Sequence, residues 1–118
     1  MQHHLTNEEQ SMKAIQALTT VYRRVPGSQQ ITQDIGHIIV TYKLRDREAA
    51  IACNRYIIIK YPEIYKVAPR YGLHRMSENE IHERSISELS HMLHALCLFL
   101  YDKLKSMANE KQTIEQQS

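Results

Sequence analysis

Glycine, proline and cysteine are all scarce in this chain of 118 residues, which has three glycines, three prolines and two cysteines. Disordered chains are rich in glycine and proline, so a globular and mainly helical chain is expected. Its length suits a single domain with its own core. Cys53 and Cys97 each lie among apolar residues of a predicted helix. They are therefore interpreted as small buried hydrophobes rather than as a disulfide or a metal pair, which fits a reducing cytoplasm.

Long apolar runs and the motifs of common enzymes are also missing. The longest apolar run, residues 95–101, is far shorter than the ~20 residues that cross a bilayer, and the N-terminus lacks the pattern of a secretory signal. The sequence contains no Gly-x-Ser-x-Gly, phosphate loop or glycine-rich nucleotide motif. We therefore expect a soluble cytoplasmic protein that is not an enzyme and uses no cofactor.

Histidine is abundant by comparison, with seven residues. Glu88, His91 and His94 follow one another at three-residue spacing on a predicted helix, and Cys97 lies one turn further on. This spacing provides half of a zinc or di-iron site. Because the sequence shows no matching second half, these side chains are expected to border the core, and no metal site is predicted.

Positive charge and tyrosine are concentrated in one segment, residues 22–75. It holds ten of the fifteen Lys and Arg residues, six of the seven tyrosines and only four acidic residues, which gives a net charge of +6. Cations interleaved with aromatic rings are typical of surfaces that bind nucleic acid. The same composition also fits tyrosines packed in the core and cations on solvated helix faces. A protein partner remains a third interpretation, because Tyr and Arg are enriched in interface hot spots.

Helical periodicity divides the chain into four or five helices. A capping box, Thr6 to Glu9, opens a helix over residues 6–24 with apolar positions at 12, 15, 18, 22 and 25. A second helix is predicted over residues 28–44, although residues 38–42 could also form a strand. A third helix begins after Asp46 and ends before Pro62, with Tyr56 in its buried stripe, and a short helix follows over residues 62–68.

A second capping box, Ser77 to Glu80, opens the longest predicted helix, which runs for about thirty residues. A helix of this length exceeds what the core of a small domain needs, so its distal half is expected either to pack on a second copy in a homodimer or to fray. Residues 1–108 are predicted to form the single domain, and residues 109–118 a disordered polar tail. The predicted fold is an all-α orthogonal bundle closed by this helix.

The segment 67–77, Val-Ala-Pro-Arg-Tyr-Gly-Leu-His-Arg-Met-Ser, resembles the turn of helix-turn-helix DNA-binding domains. The likeness is to winged-helix repressors of the gluconate-operon type. The resemblance implies that Ala68 lies at a helix contact, that Gly72 forms the turn and that Leu73 fills the space beneath it. Two positions depart from the family pattern: Pro69 interrupts the first helix of the motif, and Glu78 replaces an apolar anchor.

The leading hypothesis is a small DNA-binding regulator of bacterial or phage type that acts as a dimer. The resemblance implies that the start of the second helix faces base edges or phosphates, while other cations contact the backbone. The candidate nucleic-acid-binding residues are Arg55, Lys60, Lys66, Arg70, His74, Arg75, Ser77 and Asn79, with further phosphate contacts from Arg23, Arg24, Lys43, Arg45 and Arg47. The alternative hypothesis is a protein-binding adaptor or inhibitor whose partner engages the same basic, tyrosine-rich face.

Overall fold

The structure is a computed structural model that describes residues 6–73 and 78–117, with side chains over residues 6–73 and 80–109. The helices of the described chain are α1 (Asn7–Tyr22), α2 (Gln29–Leu44), α3 (Arg47–Lys60), α4 (Ile64–Val67), α5 (Glu78–Ile81) and α6 (Ile86–Gln117), with a 3-10 turn at Ala68–Tyr71. The described residues contain no strand. The predicted all-α fold with a long C-terminal helix is confirmed.

The boundaries of the first three helices follow from local signals. Thr6 accepts a hydrogen bond from the Glu9 amide at 3.1 Å and caps α1, as the capping box predicts. Between α2 and α3 there are only Arg45 and Asp46. Arg45 is left-handed, with φ of 55°, which reverses the chain, and Asp46 accepts from the Glu48 amide and caps α3. Residues 38–42 are helical rather than extended.

Helix α6 packs against the three other long helices, α1, α2 and α3. Its buried residues form a broad apolar face and are Leu89, Ser90, Met92, Leu93, Ala95, Leu96, Cys97, Phe99, Leu100 and Leu104. The opposite side of the helix carries polar residues such as His91 and Asp102 and is exposed. An apolar face of this width is typical of a helix that packs on several others.

The prediction that the longest helix begins at Ser77 is wrong. Helix α5 ends at Ile81, and α6 begins at Ile86 after a turn. Ser85 accepts a hydrogen bond from the Glu88 amide at 3.1 Å, so Ser85 to Glu88 is a capping box that the sequence analysis missed. The helix continues to Gln117, so the backbone over 109–117 is helical. The division into a domain and a disordered tail stays a prediction.

None of the described helices combines the length and the apolar character that crossing a membrane requires. The two cysteines are buried and free, as predicted. Burial raises the pKa of Cys53 to about 11 and that of Cys97 to about 12. Both thiols therefore stay protonated near neutral pH, which makes them poor nucleophiles.

Candidate functional sites

Most tyrosines of the basic segment are internal. Tyr42 and Tyr61 are buried, and Tyr22 packs edge-on against Tyr101 with ring centroids 6.1 Å apart. The Tyr71 hydroxyl donates to Asp102 at 2.7 Å. These four tyrosines therefore make contacts within the protein. Stacking on nucleic-acid bases needs exposed rings, so these four are poorly suited to it.

A buried carboxylate, Asp34, organises the largest polar cluster. Only 3% of Asp34 is exposed. Its carboxylate accepts hydrogen bonds from Tyr61 and from Tyr56, the latter at 3.2 Å, and it lies 2.9 Å from the Lys60 ammonium. Burial and the Asp34 carboxylate raise the pKa of Tyr61. Lys60, a candidate nucleic-acid contact, thus neutralises a buried acid.

Two arginines of α3 fasten this helix to the turn between α5 and α6. Arg47 donates to the backbone carbonyls of His82 and of Arg84, the latter at 3.2 Å. Arg55 is half-buried, and its Nη1 lies 3.2 Å from His82 Nε2. Both side chains, expected to contact DNA, therefore take part in contacts within the fold. The sequence could not show this, because Arg47 and His82 are 35 residues apart.

Lys66 and Arg70 are exposed and lie four residues apart, on consecutive turns of α4 and the 3-10 helix. The neighbouring backbone has the features that the helix-turn-helix resemblance implies: Ala68 and Leu73 are buried, and Gly72 is left-handed with φ of 76°. These features are equally those of an ordinary helix C-terminus, where glycine accepts the left-handed conformation without strain.

The remaining residues implied by the resemblance cannot be compared with the structure. His74, Arg75 and Ser77 lie outside the described residues, as does the side chain of Asn79. The backbone of Asn79 lies in α5, which is four residues long. The segment implied to enter the major groove is therefore one turn of helix, much shorter than the long helix that the sequence analysis predicted there.

The histidines of α6 contact an acid from α1. Glu8 Oε2 lies 2.9 Å from His91 Nδ1 and 3.5 Å from His94 Nδ1. Burial lowers the pKa of His94, although the charge of Glu8 opposes this shift. The described residues contain no group of three or more His, Cys, Asp or Glu placed to hold a metal ion. Chemically, the arrangement is a polar contact that joins α1 to α6.

An apolar surface lies on the solvent side of the α2–α3 hairpin. Val40 is 58% exposed, Leu44 62%, Tyr56 44% and Ile59 59%. Val40 and Leu44 are one turn apart on α2, as are Tyr56 and Ile59 on α3. The rings of His37 and Tyr56 are 5.9 Å apart and join the two helices. We call these residues, together with Gly36 and Ala52, the α2–α3 outer face.

The sequence does not predict this face, and the reason is identifiable. Tyr56 is predicted to lie in the buried stripe of α3, but it is 44% exposed. The buried residues of α3 are Ala50, Ile51, Cys53, Asn54, Ile57 and Ile58. Ile57, Ile58 and Ile59 are identical in type, so composition cannot say which of them faces outward. The signal that was available is that three consecutive residues of a helix, 100° apart, cannot all be buried on one face.

Comparisons with models of protein families, with curated proteins and with solved structures find no match to this chain. The fold and the surfaces described above are therefore the basis for any functional assignment.

Proposed function

We propose that this protein is a non-catalytic binding module and that a partner protein docks on the α2–α3 outer face. The observation that carries this proposal is the exposure of four large apolar side chains, each between 44% and 62% exposed, on two helices that pack together. Val40 and Leu44 are one turn apart on α2, and Tyr56 and Ile59 are one turn apart on α3. Scattered apolar residues are normal on a protein surface, but adjoining ones mark sites of interaction. The alternative hypothesis from the sequence is also a protein partner, but on the basic, tyrosine-rich face, whereas the surface proposed here is apolar.

The shape of the face suits close contact with another protein. Gly36 has no heavy atom within 4 Å of the position that a Cβ would occupy, and Ala52 is exposed. Short side chains at these two positions leave room for projecting side chains of a partner. Tyr56 also belongs to a residue type that is enriched in interface hot spots.

The basic residues of the hairpin, residues 29–60, are engaged elsewhere. Lys60 pairs with Asp34, Arg47 and Arg55 contact the turn before α6, and Lys43 and Arg45 line a cleft between α1 and α2. We infer a partner that contacts the face through an apolar patch of its own rather than through acidic side chains.

The test compares two glutamate substitutions at exposed valines. Val40→Glu alters the outer face, and Val21→Glu alters α1, where Val21 is 70% exposed. A partner retained by the wild type is identified and purified, and its affinity for each variant is measured by titration calorimetry. Val40→Glu should weaken binding at least about 30-fold, as loss of a hot spot does, while Val21→Glu should bind like the wild type.

Two results would contradict this proposal. If the purified partner bound Val40→Glu and the wild type with equal affinity, the binding site would lie outside the outer face. A wild-type dimer in sedimentation equilibrium that Val40→Glu converts to monomer would make the face a self-association surface instead. Because Val40 is exposed, circular dichroism should show both variants folded.

A second candidate function, DNA binding through residues 66–77, is favoured by Lys66 and Arg70. Both cations are exposed, and neither forms a salt bridge with the other described residues. Fluorescence anisotropy with a random duplex across a salt series tests this function. Binding that weakens steeply with salt and is lost in Lys66→Glu/Arg70→Glu would support it. If the wild type did not bind the duplex at low salt, DNA binding would be ruled out.

A further inference from the structure

A cleft of about 360 Å³ lies between α1 and α2, and none of the residues that line it belongs to the outer face. Its volume falls in the range of small-molecule sites, about 300–1,000 Å³. Met12, Ile39 and Tyr42 form its floor, and each is at most 5% exposed. The floor is thus fixed by the core, and the surface that a ligand would contact belongs mainly to the side chains of the rim.

The rim of the cleft carries more positive than negative charge. Lys13, Lys43 and Arg45 line it, with Glu9 as the one acidic residue among the lining side chains. Lys13 and Lys43 form no salt bridge with any residue in the described part of the chain. Three cations around one small cleft repel each other, and a bound anion would relieve this repulsion.

Arg45 is held at the rim in a defined orientation. Its Nη1 donates to Ser90 Oγ at 3.0 Å, and its guanidinium carbon lies 5.5 Å from the centre of the Tyr42 ring. The left-handed backbone at Arg45 turns the chain directly after α2. An arginine fixed in this way loses little side-chain entropy when it binds an anion.

We propose that the α1–α2 cleft binds a small amphipathic carboxylate, whose carboxylate is held by Lys13, Lys43 and Arg45 and whose chain lies along the aliphatic parts of these side chains. The three cations provide most of the affinity, and they select an acid over a neutral compound of the same shape. This site is separate from the α2–α3 outer face, so it stands or falls independently of the proposed protein partner.

The experiment is a titration of the full chain with octanoate, followed by amide chemical shifts in 15N-labelled protein. Saturable shifts confined to α1, α2 and Arg45 are expected, and octan-1-ol should bind about tenfold more weakly because it lacks the charge. Lys13→Gln/Lys43→Gln should weaken octanoate binding about tenfold or more. Lys66→Gln removes an exposed cation outside the cleft and should leave the affinity unchanged.

A variant of Arg45 separates loss of binding from loss of the fold. Glycine suits the left-handed backbone at this position, so Arg45→Gly removes the guanidinium while the turn is kept. It should stay folded and bind octanoate more weakly. Equal binding of octanoate and octan-1-ol, unchanged affinity in the lysine variants, or no saturable shifts in the wild type would overturn the proposal. Occupation of the cleft by an acidic aromatic peptide but not by octanoate would also overturn it, in favour of a protein contact.

Discussion

At the residue scale, the cations of the basic segment differ in what they do. Lys60 neutralises the buried Asp34, and Arg47 and Arg55 contact the turn before α6. Lys66 and Arg70 are exposed. In the sequence these five cations cannot be told apart. In the structure they differ, because a cation that balances a buried acid is held within the fold.

The contribution of the Asp34 cluster to stability can be measured with the substitution Asp34→Asn. This change leaves the Lys60 ammonium without its partner carboxylate and weakens the hydrogen bond from the buried Tyr61. Because the Lys60 ammonium is partly exposed and can be solvated, the expected cost is that of weakening hydrogen bonds to a buried group. The free energy of unfolding should fall by about 1–3 kcal/mol, as measured by urea denaturation.

Asp46→Asn provides the matched control for this substitution. Asp46 is exposed and caps α3, and asparagine is an equally good cap. Its change in unfolding free energy should stay below about 0.5 kcal/mol. If Asp34→Asn cost no more than this control, the cluster would not be a determinant of stability.

At the element scale, the break between α5 and α6 decides where the longest helix starts. The Ser77 to Glu80 pattern and the Ser85 to Glu88 pattern have the same form, and both are capping boxes by sequence. Arg47 of α3 bonds to the carbonyls of His82 and Arg84, which an unbroken helix would use internally. The tertiary contact therefore favours the later start.

Ser85→Ala distinguishes the two positions for the helix start by the sign of its effect. If Ser85 caps α6, as its bond to the Glu88 amide indicates, alanine should lower the free energy of unfolding by about 1 kcal/mol. Within an unbroken helix, alanine would raise stability slightly, because it has the higher helix propensity.

Ser87→Ala is the control, since Ser87 is exposed in the first turn of α6. It should be neutral or slightly stabilising in the same urea titration. A stabilising effect of Ser85→Ala would show that the helix continues through residues 82–85.

At the scale of the whole molecule, α6 joins the other long helices into one core. Leu89, Leu93, Leu96, Leu100 and Leu104 are fully buried within the chain itself. They are therefore not available to a second copy. The dimer itself stays a prediction.

Because the three other long helices contact α6, a cavity in it should weaken the whole protein at once. Leu96→Ala should lower the free energy of unfolding by about 3–5 kcal/mol. Circular dichroism and tyrosine fluorescence should report one coincident urea transition. The control Leu18→Ala, at a position 45% exposed, should cost much less, and separate transitions in Leu96→Ala would contradict a single core.

The sequence by itself determined the helical class and the limits of the first three helices. Thr6, Asp46 and Pro62 act on the backbone within a few residues, so their effect can be deduced from local chemistry. Tertiary structure alone decided which isoleucine of 57–59 faces solvent, which cations are paired and where α6 begins. Each of these depends on contacts between residues distant in sequence, because burial and desolvation are properties of packed surfaces rather than of local segments.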